Sequence, residues 1–151
     1  MTASTKEAAP DRSLRAFAVV ALIYVRLMIS TRGLGWLLAA LCYEAAGASR
    51  PALTRIPPSN AEAAAIGQLV SDTARLLPGT RRCLVQALAT AILLRRRGHD
   101  HEIIIGALPR DRRLFAHAWV SSHGEIVVGA GDMAALPEIV AFRPRRPDAS
   151  A

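Results

Sequence analysis

Thr80-Arg81-Arg82-Cys83-Leu84-Val85-Gln86-Ala87-Leu88-Ala89-Thr90-Ala91-Ile92-Leu93-Leu94-Arg95-Arg96-Arg97-Gly98 reads as a helix with start, body and stop in agreement. Thr80 is a good N-terminal cap, and the body over 83–94 is apolar nearly all round, which requires a central, buried helix. Arg95, Arg96 and Arg97 fall in the last turn, where cations meet the negative end of the dipole, and Gly98 supplies the left-handed stop. Cys83 is expected at the third helical position, in the turn whose unpaired N–H groups stabilise a thiolate. Arg81 and Arg82 add positive charge just before it.

Downstream the hydrophobic period changes. Residues 102–108 hold three consecutive isoleucines, 114–121 alternate, and 125–130 are short and β-branched, so three strands are expected. Ser121-Ser122-His123-Gly124 is the turn of an antiparallel hairpin. Upstream, Ser59-Asn60-Ala61-Glu62 matches a capping box, and Ile66, Leu69, Val70, Thr73 and Leu77 recur at helical spacing until Pro78-Gly79. Helices first and strands afterwards make an α+β domain.

Further upstream, residues 14–30 and 34–46 suggest two short helices separated by Thr31-Arg32-Gly33, an unusually apolar helical hairpin with Ser13 as a candidate cap. Pro51, Pro57 and Pro58 follow in a linker, so the hairpin reads as a semi-detached layer. The expected organisation is a flexible arm over 1–13, hairpin and linker over 14–58, a core over 59–142 and a frayed tail over 143–151.

At 151 residues there is room for one ordinary domain, and with 52% hydrophobic but only 5% aromatic residues its core must be built from aliphatic side chains. The formal net charge of +7 is spread over helix ends and the tail without interleaved aromatics, which argues against a nucleic-acid interface. Cys42 and Cys83 lack ligand spacing and a partner framework, so neither structural zinc nor a disulfide scaffold is expected, and a reducing cytosol fits. The apolar run over 16–29 is interrupted by Arg26, short of a membrane span, and no small-residue cleavage site follows it. A buried or interface-lying helix is expected, in a cytoplasmic protein able to touch a membrane surface through residues 14–46.

The chemistry rests on a pair. His117 lies mid-strand on the same face as Phe115 and Trp119, and a thiol at a helix start followed by a histidine on a later strand is the layout of papain-like and transglutaminase-like enzymes. Gln86, one turn beyond Cys83, reads either as a second oxyanion contact or as a polar residue on a helix edge, and Trp119 is a further candidate for contact with substrate. His99 and His101 flank Asp100 without a third ligand and read as exposed loop residues, His123 as solvated in its turn, and Cys42 as packing. Neither a metal nor a cofactor is expected.

Arg82-Cys83-Leu84-Val85-Gln86-Ala87-Leu88, Leu93-Leu94-Arg95-Arg96-Arg97-Gly98, Ile105-Gly106, Ala116-His117-Ala118-Trp119-Val120, Gly124 and Val127-Val128 together resemble the lasso-peptide biosynthesis B protein, the microcin-processing type of transglutaminase-like leader peptidase. The resemblance covers residues 60–140 and resembles the hairpin region in character only. It implies a cysteine protease that removes the leader of a ribosomally made precursor. A separate leader-recognition protein would present that precursor, and a lasso cyclase would then join the freed amine to an Asp or Glu side chain. It also implies a carboxylate that orients the histidine, near the end of the following strand. This chain reads Val127-Val128-Gly129-Ala130-Gly131-Asp132 there, which departs from the pattern. Asp132 is the choice for the third catalytic residue beside Cys83 and His117, with Glu125 or a backbone carbonyl as alternatives. An amine-accepting acyltransferase on the same fold and a non-catalytic module binding a membrane or partner helices are the competing functions.

Overall fold

The apolar helix around Cys83 is the element against which the other layers pack. A computed structural model describes residues 12–41, 43–46, 60–110, 112–130 and 137–145. In it this helix is α4 (Cys83–Arg96), with Val85, Leu88, Leu93 and Leu94 buried, as its all-round apolarity requires. Its stop is a Schellman motif: Gly98 has φ 78°, its N–H donates to Arg95 O at 3.1 Å, and His99 N–H donates to Leu94 O at 2.9 Å.

The start of α4 differs from expectation. Arg82 is the N-cap residue, with no side-chain cap, and Cys83 is the first helical residue instead of the third. Thr80 belongs to the preceding helix, α3 (Asn60–Leu76), whose end it closes by donating to Ala74 O at 3.1 Å or Leu77 O at 2.9 Å. Ser59 lies outside the described residues, while the Glu62 carboxylate faces Arg97 at 3.8 Å and the His99 ring at 3.4 Å.

The apolar segment near the N-terminus forms α1 (Arg12–Arg32) and α2 (Leu34–Ala40). Ala18, Ala21, Leu22 and Val25 of α1 and Leu37 and Leu38 of α2 share one core with Ile66, Val70, Leu88 and Leu93. The hairpin is therefore built into the domain, not semi-detached. By length and composition α1 is also apolar enough to cross a membrane, despite Arg26. Its opposite face leaves Val20, Ile23, Tyr24 and Leu27 exposed.

The second helix ends at Ala40, and Tyr43–Ala46, expected to continue it, is strand β1. With β2 (His101–Arg110), β3 (Arg113–Ser122), β4 (Glu125–Val128) and β5 (Glu138–Pro144) it makes an antiparallel sheet in the order β1-β5-β2-β3-β4. The fifth strand runs into the expected tail, and Arg143 Nε donates to Glu102 Oε1 on β2 at 2.6 Å. The predicted turn is present at His123 and Gly124, with φ 53° and 83°, the left-handed pair that a two-residue hairpin needs.

Alternation gives the sheet two distinct faces. Ile103, Ala118, Val120 and Val128 enter the core beneath the helices, whereas Ile104, Trp119 and Ala141 form a small cluster on the other side. At the sheet's edge α3 meets β4 so closely that a Cβ at Gly67 would lie 1.9 Å from Val127 O. His99 and His101, expected in an exposed loop, are 3% and 5% exposed. They turn inward because the chain passes directly from the Schellman stop into a central strand.

Candidate active site

Cys83 opens α4, the helix that packs against β3, and its side chain is half-buried against the core. Since no side chain caps α4, its first N–H groups present a positive dipole end, and Arg81 and Arg82 precede it on exposed backbone. Cys83 is a free thiol.

His117 lies on β3, paired with Gly106 on β2. Its half-buried ring stacks on Trp119, with centroids 6.4 Å apart and planes at 22°. Trp119 itself is 8% exposed, so it forms a floor for the imidazole more than a surface open to substrate. Gly106 makes room for that floor, since a Cβ there would lie 2.8 Å from the indole Cη2. The ring nitrogen Nε2 is 3.1 Å from Gly129 O. Ala118 and Val120 point into the helix-packed core, and alternation sets His117 with Trp119 on the other side of β3. Among the described residues no hydrogen bond joins Cys83 Sγ to the His117 ring. The structure thus brings α4 and β3 into contact but leaves the thiol and imidazole apart.

The remaining candidates separate. Gln86 donates through Nε2 to Arg81 O at 2.9 Å, bracing the turn that leads into Cys83. It also borders a shallow depression with Ser71, Arg75 and Arg81. Glu125 is exposed at the turn end of β4, opposite Ser122 and away from Gly129. Asp132 and Cys42 lie outside the described residues. No group of three or more metal-ligating side chains occurs among the described residues.

The hydrogen-bond partner that the His117 ring has among the described residues is the carbonyl of Gly129, a residue that the sequence did not single out. The available signal was the glycine itself, which stands one residue past the end of β4. What a helix-start thiol and a strand imidazole can do chemically is nucleophilic acyl transfer, with the thiol as attacking atom and the imidazole as proton carrier. Neither curated proteins nor solved structures include a match to this chain. A family model for the transglutaminase-like superfamily matches residues 21–141, which takes in most of α1 as well as the thiol helix and the sheet, and the chain belongs to that superfamily.

Proposed function

We propose that this chain is a cysteine peptidase that removes the leader from a ribosomally synthesised lasso-peptide precursor before macrolactam cyclisation. The observation that carries the reading is Cys83 at the first position of a buried helix packed on the strand that bears His117. The superfamily includes cysteine peptidases and acyltransferases. The motifs around both residues supply the narrower assignment.

In this reaction Cys83 Sγ adds to the scissile carbonyl carbon while His117 takes the thiol proton. The Cys83 backbone N–H donates to the resulting oxyanion. Collapse breaks the C–N bond, and His117 returns the proton to the leaving amine, leaving a thioester on Cys83. Water, deprotonated by His117, then attacks the thioester and frees the leader carboxylate and the thiol. Because His117 shares the face of β3 that carries Trp119 while Cys83 packs against the helix core, this reaction requires the imidazole to move to the thiol's side of the strand when the precursor binds.

The partners in this reading are a separate leader-recognition protein, the precursor and the lasso cyclase. The exposed Val20, Ile23 and Leu27 of α1, with Arg12, Arg15 and Arg32 at the helix ends, favour contact with an anionic lipid surface. Capture of the same thioester by an amine is the second reading, favoured by membership of a superfamily that contains acyltransferases.

The test is cleavage of a co-encoded precursor with the recognition protein present, followed by mass spectrometry. The wild type should release a leader with a free carboxylate, and Cys83→Ala should lose at least about a thousandfold in rate while retaining its circular dichroism. A leader ending in an amide would move the assignment to acyl transfer. Equal cleavage by both proteins would remove Cys83 from the mechanism.

A further inference from the structure

We propose that Gly129, through its backbone carbonyl, orients His117 in the place where a carboxylate would otherwise act, fixing the ring hydrogen on Nε2 and leaving Nδ1 as the proton acceptor. The inference rests on the peptidase reading for its catalytic meaning, but its geometry stands independently of it.

A carbonyl oxygen only accepts, so at 3.1 Å from Gly129 O the Nε2 atom must carry the hydrogen. A neutral imidazole has one N–H, and the lone pair is then confined to Nδ1. The Trp119 indole lies nearly parallel to the ring, at 22° with centroids 6.4 Å apart, and the carbonyl anchors the Nε2 corner. A neutral acceptor holds orientation without contributing the full negative charge by which a carboxylate stabilises an imidazolium. In this chain Arg81, Arg82 and the uncapped start of α4 place positive charge at the helix end that carries Cys83.

The carbonyl is aimed by backbone architecture. Val120 pairs with Val128 but Ser121 with Ile126, so Val127 is the extra residue of a bulge in β4. Gly67 lets α3 rest directly on that residue's carbonyl. One step past the strand, Gly129 has φ 86°, in the left-handed region. A Cβ there would lie 2.8 Å from both Ala118 O and Trp119 Cβ. Position 129 therefore requires glycine on two counts, conformation and space. A carboxylate-bearing side chain at 129 would push on the Trp119 floor of the imidazole.

The experiment is long-range proton–nitrogen NMR of the His117 ring, recorded at a pH where the ring is neutral, on the wild type, Gly129→Ala and Asp132→Asn. The expected wild-type spectrum is that of the Nε2–H tautomer, unchanged in Asp132→Asn. Gly129→Ala should give a mixture of tautomers and a kcat for leader cleavage lower by about tenfold or more with KM little changed. An Nδ1–H tautomer in the wild type, or loss of the Nε2–H preference in Asp132→Asn, would overturn the proposal. If Gly129→Ala does not fold, the other two spectra still decide it. A wild type with the Nε2–H tautomer but no peptidase activity would sink the peptidase reading and leave the positioning intact.

Discussion

His117 and His101 sit on neighbouring strands of one sheet, yet they are built for opposite ends. His101 is 5% exposed and both its nitrogens are used: Nδ1–H donates to His99 O at 2.9 Å, and Nε2 accepts from the Tyr43 hydroxyl at 2.5 Å. That assignment follows because a carbonyl accepts only, which fixes the tautomer and makes Tyr43 the donor. His117 is half-buried with one nitrogen on Gly129 O, and among the described residues its other nitrogen has no hydrogen-bond partner. The difference teaches that a histidine's capacity for chemistry lies in the hydrogen bond it does not make. Full satisfaction turns the same side chain into a structural cross-link, here between β1, the start of β2 and the turn that follows α4.

The largest way to expose this difference is acid. Burial, assisted by the Arg95 charge and opposed by the bond to His99 O, lowers the His101 pKa from 6.5 to about 4. His101 is thus neutral in the fold and takes up a proton more readily when unfolded. Its contribution to stability is complete above pH 6.5, shrinks as pH falls toward 4, and is gone below that. The full difference is on the order of 3 kcal/mol. Urea unfolding midpoints between pH 7 and 4 should fall for the wild type and flatten across that window in His101→Gln. Parallel curves would show that His101 does not carry the acid sensitivity.

A smaller effect isolates one hydrogen bond. Tyr43→Phe leaves the His101 Nε2 lone pair buried without its donor and should cost about 1–3 kcal/mol at neutral pH. The phenol is held in its neutral, donating form because burial raises its pKa well above the ordinary tyrosine range, against the opposing pull of Arg95. The ring can still face the Arg95 guanidinium, whose carbon lies 6.0 Å from the centroid, so packing there is largely retained. A variant as stable as the wild type in urea would mean that His101 finds another donor.

This contrast also marks what was legible in the chain. The helix of Cys83 was readable because its signals are local: an apolar body, arginines in the last turn and Gly98 at the stop. The β3–β4 hairpin was readable for the same reason, from alternation and His123-Gly124. Strand β1 was not, because Tyr43 follows a helical stretch and becomes extended only by pairing with Pro144 on β5, far along the chain. Without that partner, the Tyr43 hydroxyl and the burial of His101 are invisible too. Thr80 misled in a different way: a threonine before one helix is also a threonine after another, and its hydroxyl bonds the carbonyls of α3. At the site, Cys83 and His117 were legible as residue types at fixed elements. The contact between the His117 ring and Gly129 O was only half-legible, since a backbone carbonyl leaves no signature in the residue type except the glycine that makes room for it.

The smallest expected change in stability comes from a helix that repeats the contrast on its own two faces. Leu22 and Val25 of α1 are fully buried, whereas Val20, Ile23 and Leu27 are 62%, 51% and 54% exposed on the opposite side. An apolar face that contributes nothing to the core should tolerate polar replacement, and converting Val20, Ile23 and Leu27 together to serine should alter folding stability by about 0.5 kcal/mol or less per residue. The same variant should lose co-sedimentation with vesicles containing phosphatidylserine if this stripe, flanked by Arg12, Arg15 and Arg32, is the lipid-facing surface. Retained vesicle binding would remove the lipid assignment. A large loss of stability would show instead that the outer face is packed in the folded protein, so the two readouts separate the membrane reading from a core role for α1.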